Sequence, residues 1–185
     1  MAGQEWAETL ARSAGREPSD LVNYLTGCAG VSRTLPRAAT LVYSSAYELI
    51  LRHGTYSRGP LRLPAGVRQG ERKECFANAT RLALSGGGMT YCEGYATGVL
   101  IPVQHAWCVR ADGTVVDPTW SGRLDRPADS EVEYAGVRVA RELLAEIALR
   151  TGVYGMLEVP VVYVRGLAFD ARGVAVGFAD ASETE

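Results

Sequence analysis

The chain has 185 residues, of which 47% are hydrophobic and 22% are charged. This is the composition of an ordinary globular protein and argues against a disordered or fibrous chain. The 19 basic and 21 acidic residues leave a formal net charge of −2, without the basic cluster that nucleic-acid or membrane-surface binding needs. We therefore expect a protein, peptide or small amide or ester substrate, no nucleic-acid partner and no membrane partner, and the oligomeric state stays open.

The N-terminal residues, MAGQEWAETLARSAGREPSD, lack an apolar run as long as that of a signal peptide, and no later segment is apolar enough to cross a bilayer. These features predict a cytoplasmic protein. Its four cysteines are then expected to be free thiols, for which catalysis, metal binding and burial are the competing roles. We expect one domain over residues 1–185, with residues 1–20 and 179–185 peripheral or frayed.

Helical spacing dominates the first half of the chain. From residue 36 to residue 53 apolar side chains recur at the helical period, with a proline at the start and a glycine after the end. Residues 54–70 are rich in glycine, proline and arginine, which predicts an irregular connection of the kind that often carries function. A second helix is predicted from about 74 to 85 and ends at three consecutive glycines. Cys75 falls in its first turn.

Strand-like runs dominate the second half. The runs YCEGYATGVLIPV, HAWCVR and TVVDPTW predict strands, and Asp112-Gly113 is a hairpin signal between the last two. A further helix is predicted from about 139 to 151 and is supported by the Glu146/Arg150 pair. VPVVYVRG and GVAVGF predict two more strands. The predicted fold class is α+β, with helices packed against an antiparallel sheet.

Cys75 is the first candidate for chemistry. A thiol is a nucleophile only as its thiolate, and the unpaired N–H groups in the first turn of a helix favour that anion. Arg72 and Lys73 add positive charge just before it, which Glu74 partly offsets. The competing interpretation is a small buried cysteine that only packs.

The chain has two histidines, and their positions differ. His53 ends a predicted helix, where a cationic side chain complements the helix dipole. His105 begins the strand HAWCVR, and the strand that follows it carries Asp117. One hairpin could thus deliver a base and the carboxylate that orients it.

The register of this hairpin decides whether His105 and Asp117 can meet. A two-residue turn would place them on opposite faces of the sheet. A three-residue loop over 111–113, with Gly113 in the left-handed conformation, would pair Trp107 with Asp117. His105 and Asp117 would then be diagonal neighbours on one face, close enough for the carboxylate to reach the imidazole. The catalytic interpretation requires this second register.

The segments ECFANA, HAWCVRADG and VVDPTW follow one another within residues 69–120. In this order they resemble the Cys, His and Asp blocks of transglutaminase-like enzymes of the papain-like superfamily. The resemblance implies a papain-like core with Cys75 as nucleophile, His105 as general base and acid, and Asp117 as the group that orients the histidine. The expected reaction is acyl transfer through a thioester, either amide or ester hydrolysis or transamidation, and no cofactor is expected.

Four other residues are candidates for supporting roles. Gln69 lies six residues before Cys75, a spacing similar to that of the oxyanion-hole glutamine in papain-like enzymes, although a solvated loop position would explain it equally. Glu93, Trp107 and Asn78 are candidates for substrate binding. Glu93 would either face solvent or line the cleft, and for Asn78 an exposed position on the helix is the competing interpretation.

Two other functions remain open. Cys75, Cys92, His105 and Cys108 could form a structural zinc site, but they lack the usual close pair of cysteines, and His105 and Cys108 point to opposite faces of their strand. We therefore expect no metal. A transglutaminase-like binding module that keeps the cleft without turnover is the other alternative.

Overall fold

The structure is a computed structural model that describes residues 5–6, 8–10, 19–60, 62–98, 100–121 and 131–179. Within these ranges the chain forms helices and a seven-stranded, mostly antiparallel sheet. The predicted α+β class is confirmed. No helix in the described ranges has the length and apolar character needed to span a bilayer.

The helices are α1 (Asp20–Arg33), α2 (Ala46–His53), α3 (Cys75–Leu84), α4 (Arg141–Thr151) and α5 (Val161–Arg165), with a 3₁₀ helix at Pro36–Thr40. The strands are β1 (Thr55–Pro60), β2 (Thr90–Ala96), β3 (Val103–Val109), β4 (Val115–Val116), β5 (Glu131–Val139), β6 (Leu167–Phe169) and β7 (Val174–Phe178).

The strand β5 is the centre of the sheet, whose order is β4-β3-β2-β5-β7-β6. One edge of β5 pairs with β2, while the other edge pairs with β1 over residues 131–136 and with β7 over residues 138–139. The β5–β7 pair is parallel, and the other pairs are antiparallel. A Cβ on Gly59 of β1 would lie 2.5 Å from Cβ of Val115 in β4, so the sheet curls until β1 approaches β4.

The two faces of the curled sheet bury different cores, as the alternation of side chains along a strand requires. In β3, Ala106 and Cys108 belong to the main core, which the helices cover. Trp107 and Val109 point the other way, into a smaller core on the inner side of the curl that also contains Tyr134. His105 is on the same side of β3 as Trp107.

The hairpin register predicted for β3 and β4 is confirmed. Val109 pairs with Val115, and the N–H of Arg110 bonds to the carbonyl of Thr114 at 3.0 Å. The loop is closed by the N–H of Gly113, which bonds to the Arg110 carbonyl at 2.9 Å. Gly113 has a φ of 86°, the left-handed conformation that the three-residue loop requires.

The helices predicted at 74–85 and 139–151 are present within two residues of these bounds, but the single helix predicted over 36–53 is wrong. After the 3₁₀ turn the chain leaves the helical conformation, and α2 begins anew with Ser45 as its N-cap. The carboxylate of Glu48 reaches back to accept hydrogen bonds from the N–H and hydroxyl of Ser44 at 3.0 and 2.6 Å. Such capping groups favour a helix start even inside a helical apolar pattern.

Five other elements differ from the expectations. The run VPVVYVRG forms α5 after Pro160 rather than a strand, whereas GVAVGF forms β7 as predicted. The helix α1 and the strands β1, β5 and β6 were not predicted, and β1 lies in the segment that was expected to be irregular. The expectation of peripheral ends concerns segments that lie mostly outside the described residues, but Leu10 is only 2% exposed and belongs to the main core.

Gly113 offers a test of the hairpin loop. A Cβ at this position would have no atom within 4 Å, so any destabilisation by a side chain must come from the positive φ. We expect Gly113→Val to lower the free energy of unfolding by about 1–2 kcal/mol, and Gly113→Asn to lower it by less, because asparagine tolerates this conformation. Urea denaturation of the two variants measures the difference. Equal losses would contradict the conformational explanation.

Candidate active site

Cys75 is the first residue of α3, as the sequence predicts. The chain reaches Cys75 through a sharp turn in which Lys73 has a φ of 65°. Residues other than glycine rarely adopt this backbone conformation. The thiol is 9% exposed, so it is nearly covered while it lies at the helix terminus whose N–H groups favour an anion.

His105 and Asp117 are in direct contact across the β3–β4 hairpin. Nε2 of His105 lies 2.8 Å from Oδ2 of Asp117, and both side chains are almost fully buried. Cys75 is among the groups that raise the pKa of His105, so its thiol lies close to the imidazole. Because Nε2 faces the carboxylate, Nδ1 is the ring nitrogen left for the thiol. The three residues of the predicted triad therefore lie together.

The carboxylate of Asp117 is held by four donors. Oδ1 accepts the backbone N–H groups of Thr119 and Trp120 at 2.9 and 3.0 Å, which makes the segment DPTW a tight turn around the aspartate. Oδ2 accepts the hydroxyl of Tyr134 at 3.0 Å in addition to the bond with His105. These four donors thus fix the position of the carboxylate and stabilise its negative charge.

The electrostatics of the pair favour its charged form. Burial disfavours a charged imidazole, but the charge and hydrogen bond of Asp117, together with the contact with Cys75, raise the pKa of His105 to about 9. Burial acts against the Asp117 carboxylate as well, yet His105 and the turn N–H groups hold its pKa below the usual range. At neutral pH the pair is therefore an imidazolium and a carboxylate.

Two aromatic residues complete the surroundings of His105, and sequence reasoning missed both. The ring of Trp120 stacks on the imidazole with centroids 3.8 Å apart and an interplanar angle of 16°. Its indole lies against Gly98, where a Cβ would come within 2.1 Å of the ring. Tyr134 comes from β5, more than ten residues after the DPTW turn, so no local spacing indicated its contact with Asp117.

Gln69, the predicted oxyanion-hole residue, lies beside the DPTW turn. Its side-chain amide donates to the backbone carbonyl of Ser121, and the next residue, Gly70, donates its N–H to the carbonyl of Pro118 at 2.8 Å. One N–H of the amide is therefore committed to holding two loops together, and the other N–H is the one left for a substrate. The oxyanion role stays a prediction.

Asn78 does not have the exposed position that one interpretation expected. It is 5% exposed, and its side-chain amide bonds to the backbone N–H and carbonyl of Glu71 at 3.1 and 2.7 Å and to the hydroxyl of Thr119 at 3.0 Å. These bonds occupy its amide N–H groups. We therefore assign it to holding the loop before Cys75 and the turn after Asp117 on α3, in place of the expected substrate contact.

Glu93 neither faces solvent nor lines a cleft. It is fully buried and accepts hydrogen bonds from the N–H groups of Met156 and Leu157 at 2.5 and 3.0 Å and from the hydroxyl of Tyr91 at 2.9 Å. Burial away from any cation raises the pKa of this carboxyl. The residue holds the loop after α4 against the sheet, so the expected direct substrate contact is wrong.

Trp107 also differs from its predicted substrate-binding role. It is 1% exposed and packs on Tyr134 with ring centroids 4.9 Å apart. A Cβ on Gly136 would lie 2.6 Å from the indole, so the ring fills the space above that glycine. Trp107 is a core residue under the His105–Asp117 pair.

The zinc alternative requires four ligands that converge. Cys92 packs in the smaller core, whereas the Cys108 thiol lies on the helix side, 3.3 Å from the carbonyl of Ala79. The two thiols face opposite sides of the sheet and cannot join His105 around one ion. Among the described residues, no group of three or more His, Cys, Asp or Glu side chains is arranged to hold a metal.

His53 has partners other than the residues of the candidate site. It bonds to the hydroxyl of Tyr43 at 3.1 Å and stacks on Phe169 with centroids 4.4 Å apart. Burial, with the charge of Arg52, lowers the pKa of His53 to about 4. It is therefore neutral at physiological pH, and the expected cationic complement to the helix dipole is wrong.

Comparison with known proteins adds no assignment, because no family model, no curated protein and no solved structure matches this chain. The arrangement of Cys75, His105 and Asp117 must therefore be interpreted from its own geometry.

The charge of the His105–Asp117 pair predicts how stability changes with pH. The pKa of His105 is about 9 in the folded chain and near 6.5 in an unfolded chain, so the folded state holds the extra proton between these values. The free energy of unfolding should be undiminished near pH 6 and fall by roughly 1–3 kcal/mol as the pH rises through 9. Because the pKa of Asp117 is lowered, its contribution is lost only in more acidic solution.

Urea denaturation between pH 5 and 10 measures this change. The matched control is Asp117→Asn, in which the carboxylate that raises the pKa of His105 is absent, so the decline should be largely abolished. A decline of the same size in the variant would contradict the assignment of the proton to this pair.

Proposed function

We propose that this chain is a thiol-dependent acyl-transfer enzyme of the transglutaminase-like type, in which Cys75 carries the acyl group. The observation that carries the proposal is the buried 2.8 Å contact between His105 and Asp117, with the thiol of Cys75, at a helix N-terminus, among the groups that raise the pKa of His105. A buried ion pair is often no more stabilising than well-packed apolar side chains of similar volume. Its presence beside a candidate nucleophile therefore favours a catalytic role.

In the first half-reaction, the proton of Cys75 is on Nδ1 of His105, and Sγ attacks the carbonyl carbon of an amide or ester as the thiolate. A C–S bond forms and the carbonyl electrons move to oxygen. When the tetrahedral intermediate collapses, the bond to the leaving nitrogen or oxygen breaks, and His105 donates its proton to that atom. The raised pKa of His105 suits this step, because the imidazole is protonated at neutral pH.

In the second half-reaction, water or an amine attacks the thioester carbon. His105, now neutral, accepts the proton of the attacking group, and the C–S bond breaks with its electron pair returning to sulfur. Water gives net hydrolysis, and an amine gives transamidation. Asp117 acts through its hydrogen bond with His105, which fixes the ring orientation and the tautomer that presents Nδ1 to the thiol.

The developing oxyanion requires donors beside Cys75. The backbone N–H of Cys75, at the start of α3, has no partner within the helix, and the amide of Gln69 has a second N–H beyond the one given to Ser121. These are the donors that we assign to the oxyanion. The papain-like core belongs to the same proposal, supported by the order of the three blocks and by the antiparallel hairpin that carries His105 and Asp117.

Acylation of the native chain tests the proposal. We expect p-nitrophenyl acetate to add one acetyl group to Cys75, detected by intact mass and peptide mapping. Cys75→Ala should abolish this label, and His105→Ala should slow it by about 100-fold or more, because a positioned acid–base group contributes that much.

Cys28 provides the control, because it is the most accessible of the other three thiols. Cys28 is half-buried, whereas Cys92 and Cys108 are buried. Cys28→Ala should leave acylation of Cys75 unchanged. Preferential labelling of Cys28, or a rate at Cys75 that His105→Ala does not change, would contradict the proposal.

A further inference from the structure

A groove lies next to the N-terminal end of α3, on the sheet face that this helix covers. Along β3, the Cys108 thiol lies 3.3 Å from the carbonyl of Ala79 in the middle of the helix. Two residues earlier in β3, Ala106 pairs with Glu93. Glu93 in turn lies near Phe76 in the first turn of α3, because a Cβ on Gly155 would be 3.4 Å from each of these two side chains. The helix therefore points its N-terminus toward the start of β3.

The next residue of β3 on this face is Gln104, about 7 Å beyond Ala106 at the usual rise of a strand. It lies past the end of the helix and lines a groove of about 600 Å³. Because Ala106 lies near the first turn of α3, the groove lies just past the start of this helix, where Cys75 is. The other residues that line it include Tyr47, Tyr95, Leu157, Tyr163 and Val164.

The walls of the groove favour a flat, uncharged group. Tyr47 and Tyr95 are stacked with centroids 4.9 Å apart and an interplanar angle of 26°, which gives an aromatic surface of fixed orientation. The charges that line the groove, Arg37 and Glu158, have opposite signs and cancel. Leu157 is fixed because its N–H bonds to the buried carboxylate of Glu93 at 3.0 Å.

We propose that this groove receives the acyl side of the substrate and that the preferred acyl group carries an uncharged aromatic ring. Its volume is within the range of sites for small molecules, and aromatic rings pack favourably on aromatic walls. The ring would lie on the tyrosines while the carbonyl carbon is at Cys75. This inference rests on the proposed function, because it assigns the group that Cys75 accepts.

Two esters with the same leaving group test the inference on the native chain. The acylation rate of Cys75 is measured with p-nitrophenyl phenylacetate and with p-nitrophenyl acetate, and each rate is divided by that of free cysteine to remove intrinsic reactivity. We expect the corrected rate for phenylacetate to be about tenfold higher, the size expected for burying part of a ring.

Two substitutions, one on each of two walls, place a larger side chain in the groove. Both are at exposed positions, so the core is not disturbed. Val164 is 59% exposed and Leu35 is 44% exposed, and both line the groove. In Val164→Trp and in Leu35→Trp, the phenylacetate-to-acetate ratio should fall to about one, since the added indole occupies the space of the ring. The matched control is Val176→Trp at a valine of β7 that is 47% exposed, where the ratio should equal that of the native chain.

The outcomes separate the inference from the proposed function. If acetate acylates Cys75 but the ring gives no advantage, or if the advantage persists in both narrowed variants, the groove assignment is overturned while the acyl-transfer proposal stands. If neither ester acylates Cys75, both are overturned.

Discussion

The buried carboxylate of Asp117 is the constraint on which the candidate site depends. A carboxylate removed from water is tolerated only when its oxygens are satisfied by donors, and here four donors come from three parts of the chain: the DPTW turn, β3 and β5. Satisfying this one charge therefore fixes the turn after β4, the orientation of His105 and the position of Tyr134. The geometry that chemistry would need follows from the need to bury a charge.

A second buried carboxylate, Glu93, organises the opposite face of the sheet. Both are almost fully buried, yet their pKa values move in opposite directions, because Asp117 faces an imidazolium whereas Glu93 has only neutral donors. Asp117 is thus held as an anion suited to a cationic partner. Glu93 acts as a structural acceptor whose bonds to Met156 and Leu157 hold the loop that contributes Leu157 to the wall of the groove.

The parts of the site that the sequence could predict are those that depend on short spacings. A left-handed Gly113 and the residue period of two would place His105 and Asp117 on one face, one of two registers that the sequence allowed, and the apolar stripe of α3 placed Cys75 in its first turn. Contacts from distant segments carry no such signal. The roles of Glu93 and Tyr134 depend on partners more than fifteen residues away, and β5 itself, with its mixed inner and outer faces, resembles no simple alternating pattern.

The fold also separates one thiol from the rest. Burial raises the pKa of Cys92 to about 12 and that of Cys108 well above its usual value, so neither is a thiolate at neutral pH. Both lie within strands and are almost fully buried. Cys75 instead begins a helix and lies next to the His105 imidazolium. The strands therefore bury two thiols, whereas the helix places Cys75 where the proposed nucleophile must lie.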